Sequence, residues 1–170
     1  MIATAKDAEI LRAGGERLAR ILDALARAVR PGISTYELDR MAERRIRDAG
    51  GLPAFLGYQP EGAGTPYPAS ICTSINEEGV HGIPTAERVL HEGDIVNIDI
   101  GMRYPSRGGL VTDMAAAVAV GKVDAKVLNL LHVTEQALAV GIDTLRPGVR
   151  MGDLGAAIQR HIESHGFGVV

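Results

Sequence analysis

The chain has 170 residues, which suits one compact domain, and its 46% hydrophobic and 23% charged residues exclude wholesale disorder. Its formal net charge is −3 and no Lys/Arg run stands out, so neither nucleic acid nor a membrane surface is indicated as a partner. The single cysteine excludes an internal disulfide, and the lack of an apolar leader or spanning segment predicts a soluble cytoplasmic protein.

The first part of the chain carries two helical patterns. Apolar residues at helical spacing predict an amphipathic helix over residues 6–30, which ends at Pro31 and Gly32. Ser34, followed three residues later by Glu37, forms a capping box. This box predicts a second helix that stops at residues 50–51.

The middle of the chain predicts a loop followed by strands. Residues 57–69 are rich in Gly and Pro, which is typical of a surface loop. Three apolar segments separated by turn signals then predict strands: SICTSIN, DIVNIDIG and LVTDMAAAVAV. Residues 124–145 and 150–165 predict two further helices.

Residues 30–50 align without gaps with residues 146–166, and Arg, Pro, Gly, Leu, Arg, Ile and Gly coincide. Capped helices after a Pro-Gly turn resemble one another for reasons of helix chemistry alone. The shared surface arginines nevertheless favour a true duplication. We therefore expect one domain over 1–170, with a first repeat at about 1–120 and the start of a second repeat at about 121–170.

Two aspartates stand out in the predicted strands. Asp99 interrupts the apolar alternation of DIVNIDIG, and Asp113 lies in the following strand. A hairpin centred on Ser106 would place them directly opposite each other, with Cβ atoms about 5 Å apart. Carboxylates at that distance repel, and a divalent cation between them removes the conflict. All-oxygen ligation favours Mn, Fe, Co or Mg.

The alternative for this pair is structural. One aspartate would then lie in the loop or pair with Arg103 or Arg107, and no metal would be needed. Hairpin register read from sequence is uncertain by a residue or two, so the residues alone leave both interpretations open.

His81 and Cys72 precede this hairpin. His81 lies in the turn VHGIP, where glycines allow close backbone approach, and a neutral imidazole can polarise a scissile amide. A turn histidine is more often simply solvated. Cys72 alternates with apolar strand residues, which favours a small packing residue over a nucleophile.

The segments SICTSINEEGVHGIP, GDIVNIDIG and LVTDMAAAVAVG, with the helix starts RPGIST and RPGVRMGDLGAAIQ, resemble type I methionine aminopeptidases of the pita-bread fold. The resemblance runs over nearly the whole chain in the same order. It implies an α+β pita-bread fold with the first αβ repeat and the helices of a second, incomplete one.

The resemblance also implies the chemistry. Asp99 and Asp113 would be carboxylate ligands of two divalent metal ions (Co, Mn, Fe, Zn or Ni), and His81 would be a catalytic residue that contacts the substrate. Cys72 and Tyr67 would line the pocket for the substrate's methionine side chain. The reaction would be metal-dependent hydrolysis that removes the N-terminal Met of nascent peptides, with the ribosome as a further partner.

The chain also departs from the family pattern. A further His and two Glu ligands of the family have no counterpart here, so we expect the isolated chain to bind metal weakly and to turn over little peptide. Met114 and Ala115 replace small polar residues that commonly follow the second aspartate. The alternatives are a non-catalytic pita-bread protein that binds peptides or partners, and a related Xaa-Pro peptidase.

Overall fold

The computed structural model describes residues 4–62 and 64–169 and shows an α+β fold, as the sequence predicts. The helices are α1 (Ala5–Ala28), α2 (Thr35–Asp48), α3 (Ala125–Thr144) and α4 (Met151–Ser164). The strands are β1 (Leu52–Pro53), β2 (Ile71–Ile75), β3 (Ile95–Tyr104) and β4 (Leu110–Ala119). The chain divides after Lys122 into two compact units.

In the first unit, β3 is the central strand and pairs antiparallel with the other three. β4 pairs along all ten residues of β3, so β1 and β2 share the opposite edge. The two-residue β1 is too short to give an alternating pattern, and sequence reasoning missed it.

The core of this unit lies between the sheet and the helices α1 and α2. The predicted alternation of β3 is confirmed, because Val96, Ile98 and Ile100 are fully buried while Asn97 and Asp99 lie on the other face. The helices contribute the buried residues Leu18, Ile21, Leu22, Leu25, Leu38, Ala42 and Ile46. One face of the sheet is therefore packed, and the aspartates lie on the other.

Capping boxes start both helices of the first unit. Ser34 Oγ accepts the backbone N–H of Glu37 at 3.2 Å, and the Glu37 carboxylate accepts the N–H of Ser34 at 2.9 Å. This is the box predicted for α2. Thr4 and Asp7 form an equivalent box on α1.

The second unit, described by itself, is a pair of packed helices, α3 and α4. Gly141 of α3 allows close packing, because a Cβ there would lie 3.0 Å from Ile158 Cδ1. Asp124 caps α3 through a hydrogen bond from the N–H of Lys126 at 2.7 Å.

Local geometry repeats at the spacing found in the sequence. Helices α2 and α4 begin and end at aligned residues, and at both starts the backbone N–H before the helix donates to a carboxylate three residues later, from Ser34 to Glu37 at 2.9 Å and from Arg150 to Asp153 at 3.2 Å. The aligned glycines share positive φ angles, +88° at Gly32 and +87° at Gly148, and +80° at Gly50 and +79° at Gly166. That the two units arose by duplication stays a prediction.

Among residues 4–62 and 64–169, no helix combines the length and the apolar character needed to cross a membrane.

Candidate active site

The β3–β4 ladder places both aspartates on the face of the sheet that lies away from the core. Asp99 pairs with Ala115, and Asp113 pairs with Gly101. Because Gly101 is two residues from Asp99, the carboxylates are diagonal neighbours on one face of the sheet.

The predicted register is therefore wrong by two residues, since the aspartates do not pair directly. The hairpin is centred on Arg107 rather than Ser106, because Tyr104 pairs with Leu110. Gly108 has a φ of +66°, and a Cβ at Gly109 would lie 2.1 Å from the Pro105 carbonyl oxygen. A shift of two residues preserves the faces, so the aspartates remain neighbours.

A cavity of about 470 Å³ opens beside these carboxylates. It is lined by Phe55, Tyr58, Pro60, Thr65, Tyr67, Cys72, His81, Asp99 and Asp113. All five residues that the sequence singled out lie in this wall, although they come from three strands and two loops. The cavity joins a mostly apolar, aromatic part to a pair of carboxylates.

Cys72 and Tyr67 lie between the carboxylates and the apolar part. Cys72 is 5% exposed and pairs with Asp99 across β2 and β3. The Tyr67 hydroxyl donates to the Ile71 carbonyl oxygen at 3.0 Å, and the Gly82 carbonyl lies 3.4 Å away. Burial raises the pKa of both the Cys72 thiol and the Tyr67 phenol, so both side chains are neutral at physiological pH.

His81 reaches the cavity from a turn with unusual backbone geometry. Its φ is +61°, in the left-handed region that non-glycine residues rarely adopt. Its Nδ1 lies 4.0 Å from Cys72 Sγ, and the residue is exposed. The imidazole is therefore within reach of a ligand in the cavity.

Both carboxylates carry a raised pKa. Burial is the main cause at Asp99, with a further contribution from the charge of Asp113 that His81 partly offsets. Burial is also the cause at Asp113. In the part of the chain that the structure describes, no hydrogen bond reaches either carboxylate, so no hydrogen-bond donor there stabilises their charged forms. A bound cation would supply that stabilisation.

The start of β2 is fixed by a buried carboxylate. Asp39 of α2 is 6% exposed and accepts the backbone N–H groups of Ser70 at 2.7 Å and Ile71 at 3.2 Å. Burial raises the pKa of Asp39, although both hydrogen bonds oppose that shift. Through this contact, α2 sets the position of the chain between Tyr67 and Cys72.

Sequence reasoning missed the residues that form much of the apolar wall. Phe55, Tyr58, Pro60 and Thr65 lie between β1 and β2, and all but Phe55 fall within residues 57–69, for which composition predicts only a surface loop. Two backbone hydrogen bonds close this loop, from Gly57 to Tyr67 at 2.9 Å and from Tyr67 to Tyr58 at 2.8 Å. Aromatic residues at both ends of a Gly-rich loop were the available signal.

Asp99 and Asp113 are suited to hold part of a metal site. They offer carboxylate oxygens on one face, with raised pKa values and no competing donors from the described residues. Within residues 4–62 and 64–169, no group of three or more His, Cys, Asp or Glu residues is arranged to hold a metal ion. The donor set fits a divalent cation, but it is partial.

The carboxylate pair and the adjoining cavity are features of a metallopeptidase, and comparison with known proteins identifies the class. The chain belongs to metallopeptidase family M24, whose model matches residues 9–170. It is 40% identical over 172 residues to a methionine aminopeptidase of Clostridium acetobutylicum, covering 100% of this chain and 65% of the relative. It is 42% identical over 165 residues to methionine aminopeptidase A of Synechocystis, covering 97% and 62%.

Solved structures agree with these relatives. The structure of methionine aminopeptidase from Rickettsia prowazekii has a TM-score of 0.91 and 38% identity, covering 100% of this chain and 64% of that one. The chain therefore spans less than two thirds of the length of these proteins. The predicted resemblance is confirmed.

More distant structures share the fold alone. The prolidase of Pyrococcus furiosus has a TM-score of 0.79 at 17% identity. The expectation of a pita-bread α+β fold is confirmed by this likeness together with the Rickettsia structure.

Proposed function

We propose that this chain carries part of the active site of a methionyl aminopeptidase, a metal-dependent hydrolase that removes the N-terminal methionine of peptides. One observation carries the proposal: Asp99 and Asp113 share a sheet face at one side of a cavity whose remaining wall is largely apolar. An aminopeptidase that prefers methionine needs both parts, one for hydrolysis and one for the unbranched side chain. Similarity to proteins named methionine aminopeptidase supports the substrate.

Asp99 and Asp113 would hold divalent metal. Oxygen donors favour hard or borderline ions, and the family resemblance extends the candidates to two ions among Co, Mn, Fe, Zn and Ni. When bound, such ions polarise a carbonyl and make bound water nucleophilic at neutral pH. The carboxylates themselves would bind the ions, and their mutual repulsion would be relieved by doing so.

The apolar wall would bind the methionine side chain. Cys72 and Tyr67 are neutral and hold their positions through the sheet pairing and the Ile71 carbonyl bond. A thioether makes favourable contacts with aromatic ring edges, which Phe55 and Tyr67 would supply. This wall would accept an unbranched apolar side chain and disfavour a charged one.

His81 would contact the substrate amide. Its ring lies in the cavity wall with Asp99 and Cys72, and among the described residues its hydrogen-bonding contacts are limited to the 4.0 Å approach to Cys72 Sγ. A neutral imidazole there can donate a hydrogen bond to a carbonyl oxygen or accept one from an amide. Nascent chains in the cytoplasm, presented at the ribosome, would be the natural substrates.

The first experiment measures metal binding by the purified chain. Calorimetric titration with Mn²⁺ should show weak binding that Asp99→Asn and Asp113→Asn each abolish. Asp143→Asn, which changes an exposed aspartate of α3, is the matched control and should leave binding unchanged. Binding that survives both Asp99→Asn and Asp113→Asn would refute the assignment.

The second experiment tests specificity. In the presence of Mn²⁺, the peptide Met-Ala-Ser should bind more tightly than Lys-Ala-Ser or Ala-Pro-Ser, because the cavity wall is apolar. Preference for Ala-Pro-Ser would favour an Xaa-Pro peptidase instead. Equal binding of all three peptides, with no dependence on Mn²⁺, would favour a non-catalytic binding protein.

A further inference from the structure

The backbone of His81 has a left-handed conformation, and no strong hydrogen bond of the His81 side chain stabilises it. Its φ of +61° is disfavoured for a residue with a Cβ, so surrounding contacts must maintain it. Among the described residues, the hydrogen-bonding contacts of the ring are limited to the 4.0 Å approach to Cys72 Sγ, which is too long to fix an orientation. The support must come from the segment on either side of His81.

The segment after His81 lies directly against the end of β2. The N–H of Thr73 donates to the Gly82 carbonyl oxygen at 2.8 Å, and the Gly82 N–H donates to Ser74 Oγ at 3.3 Å. A Cβ at Gly82 would lie 2.1 Å from the Thr73 carbonyl oxygen, so only glycine permits this approach. Before His81, the Glu78 N–H donates to the Ile75 carbonyl oxygen at 3.1 Å, so backbone hydrogen bonds join each end of the turn to β2 separately.

One guanidinium joins the two ends. Arg88 Nη1 donates to the Ile83 carbonyl oxygen at 2.7 Å, after His81, and Nη2 donates to the Thr73 carbonyl oxygen of β2 at 3.1 Å. Nη2 also forms an ion pair with the carboxylate of Glu78, before His81. Glu78 in turn accepts the backbone N–H of Ile75 at 2.9 Å. Arg88 therefore links the chain on both sides of His81 to the same strand.

Hydrogen bonds from α2 hold the backbone of Arg88 and of the segment before it. The N–H of Thr35 donates to the Arg88 carbonyl oxygen at 2.8 Å. The Thr35 hydroxyl donates to the Thr85 carbonyl oxygen at 3.0 Å and accepts the Thr85 N–H at 3.0 Å. Thr35 is fully buried, and the Arg88 side chain is only 22% exposed. The Glu78 side chain is 44% exposed, so solvent screens the ion pair, and the two carbonyl hydrogen bonds of Arg88 contribute to the link alongside it.

We propose that Arg88 is a positioning residue that, together with Glu78, holds His81 in its left-handed conformation over the cavity. The effect of Arg88 on the His81 backbone is argued from the contacts above, while its effect on peptide binding rests on the proposed function. Lysine cannot replace Arg88, because a single ammonium lacks the planar fork that reaches two carbonyls and a carboxylate together.

The test compares Arg88→Ala, Arg88→Lys and Glu78→Gln with wild type by NMR. A strong intraresidue HN–Hα NOE at His81 marks its positive φ and should be present in wild type. It should weaken in all three variants, with shifted His81 ring resonances, while amides in the core strand β3 keep their positions. Arg40→Ala removes an exposed arginine paired with Glu43 on α2 and should change neither signal. If Arg88→Ala unfolds the protein, the two milder variants decide.

Peptide binding gives the second readout. With Mn²⁺ present, the affinity for Met-Ala-Ser should fall about tenfold in Arg88→Ala and not in Arg40→Ala. An unchanged His81 NOE in the folded Arg88 and Glu78 variants would overturn the proposal. The two proposals can fail separately. If the wild type shows the His81 NOE and the variants weaken it, but the wild type binds no Met-Ala-Ser, the proposed function is wrong and the positioning role of Arg88 is still supported.

Discussion

Gly101 and Asp113 lie opposite each other on β3 and β4, and a Cβ at Gly101 would fall 3.1 Å from Asp113 Oδ2. The same Cβ would lie 2.8 Å from Phe55 Cε1 and 3.0 Å from Ala54 Cβ. The absent side chain at Gly101 therefore makes room for a proposed metal ligand and for the apolar wall together.

Gly101→Ala should damage the site as well as the fold. We expect a loss of about 1–3 kcal/mol in the free energy of unfolding, because the added methyl overpacks a buried position. Mn²⁺ binding should weaken, since Asp113 must move. Chemical denaturation and calorimetry measure the two effects.

Gly15→Ala is the matched control, because nothing lies within 4 Å of a Cβ there and Gly15 is inside α1. It should stabilise the protein by up to about 1 kcal/mol through helix propensity. A Gly101→Ala protein with wild-type stability and Mn²⁺ affinity would contradict the packing argument.

The pH dependence of stability should reveal the raised pKa values of Asp99 and Asp113. For groups whose pKa is raised above the ordinary 3.8, the folded state binds protons more readily than the unfolded state. Their contribution to stability is full below that value and is lost as the pH rises through the raised pKa. Without metal, wild type should therefore lose stability over this range relative to Asp99→Asn/Asp113→Asn.

The loss of unfolding free energy in the wild type relative to the double variant should be on the order of 1 kcal/mol or less, because partial exposure screens both charges. Urea unfolding in EDTA between pH 3 and pH 7 measures it, and saturating Mn²⁺ should reduce it. If the wild type and the double variant keep a constant difference across this range, the carboxylates are not the titrating groups.

Local chemistry in the sequence determines most of the fold around this site. The Ser34–Glu37 box, the alternation in β3 and the positive-φ glycines act within a few residues, so pattern alone locates α2, β3 and the turns. The shared face of Asp99 and Asp113 is predicted correctly despite the wrong register, because a two-residue shift leaves the parity of the pairing unchanged.

Contacts between distant segments could not be predicted in this way. The two-residue register shift depends on how Gly108 and Gly109 fold the hairpin loop. The bonds from Asp39 to the start of β2 span 31 and 32 residues and leave no periodic signal. The hydrogen bonds by which Arg88 links the His81 turn to β2 likewise join distant segments, since one of them reaches the Thr73 carbonyl oxygen.

Asp39→Ala should destabilise the protein and loosen the pocket. It would leave the N–H groups of Ser70 and Ile71 buried without an acceptor, at a cost of about 2–4 kcal/mol in unfolding free energy. Resonances of Tyr67 and Cys72 should shift because their connecting segment loses its anchor.

Asp39→Asn keeps an oxygen acceptor and should cost less. Asp48→Ala, at the exposed end of the same helix, should change stability by no more than about 0.5 kcal/mol. Urea denaturation ranks the three variants. Equal stability of Asp39→Ala and Asp48→Ala would mean that the Asp39 contact does not anchor β2.

Ala115→Ser should improve the proposed metal site. Ala115 pairs with Asp99, whose carboxylate receives no hydrogen bond from the described residues, and paired Cβ atoms lie about 4.5–5.5 Å apart. A serine hydroxyl at this position can donate to the Asp99 carboxylate, which stabilises its charged form and lowers its pKa. Hydrogen bonds to metal-binding carboxylates commonly change metal affinity by about tenfold or more, so Mn²⁺ should bind more tightly.

Ala117→Ser is the matched control. It adds the same hydroxyl two residues along the same face, opposite Asn97, and should leave the pKa of Asp99 and the Mn²⁺ affinity unchanged. Carboxyl ¹³C NMR titration of Asp99 without metal, followed by calorimetry with Mn²⁺, separates the two variants. If Ala115→Ser and Ala117→Ser behave alike, the missing hydrogen bond at Asp99 does not limit metal binding.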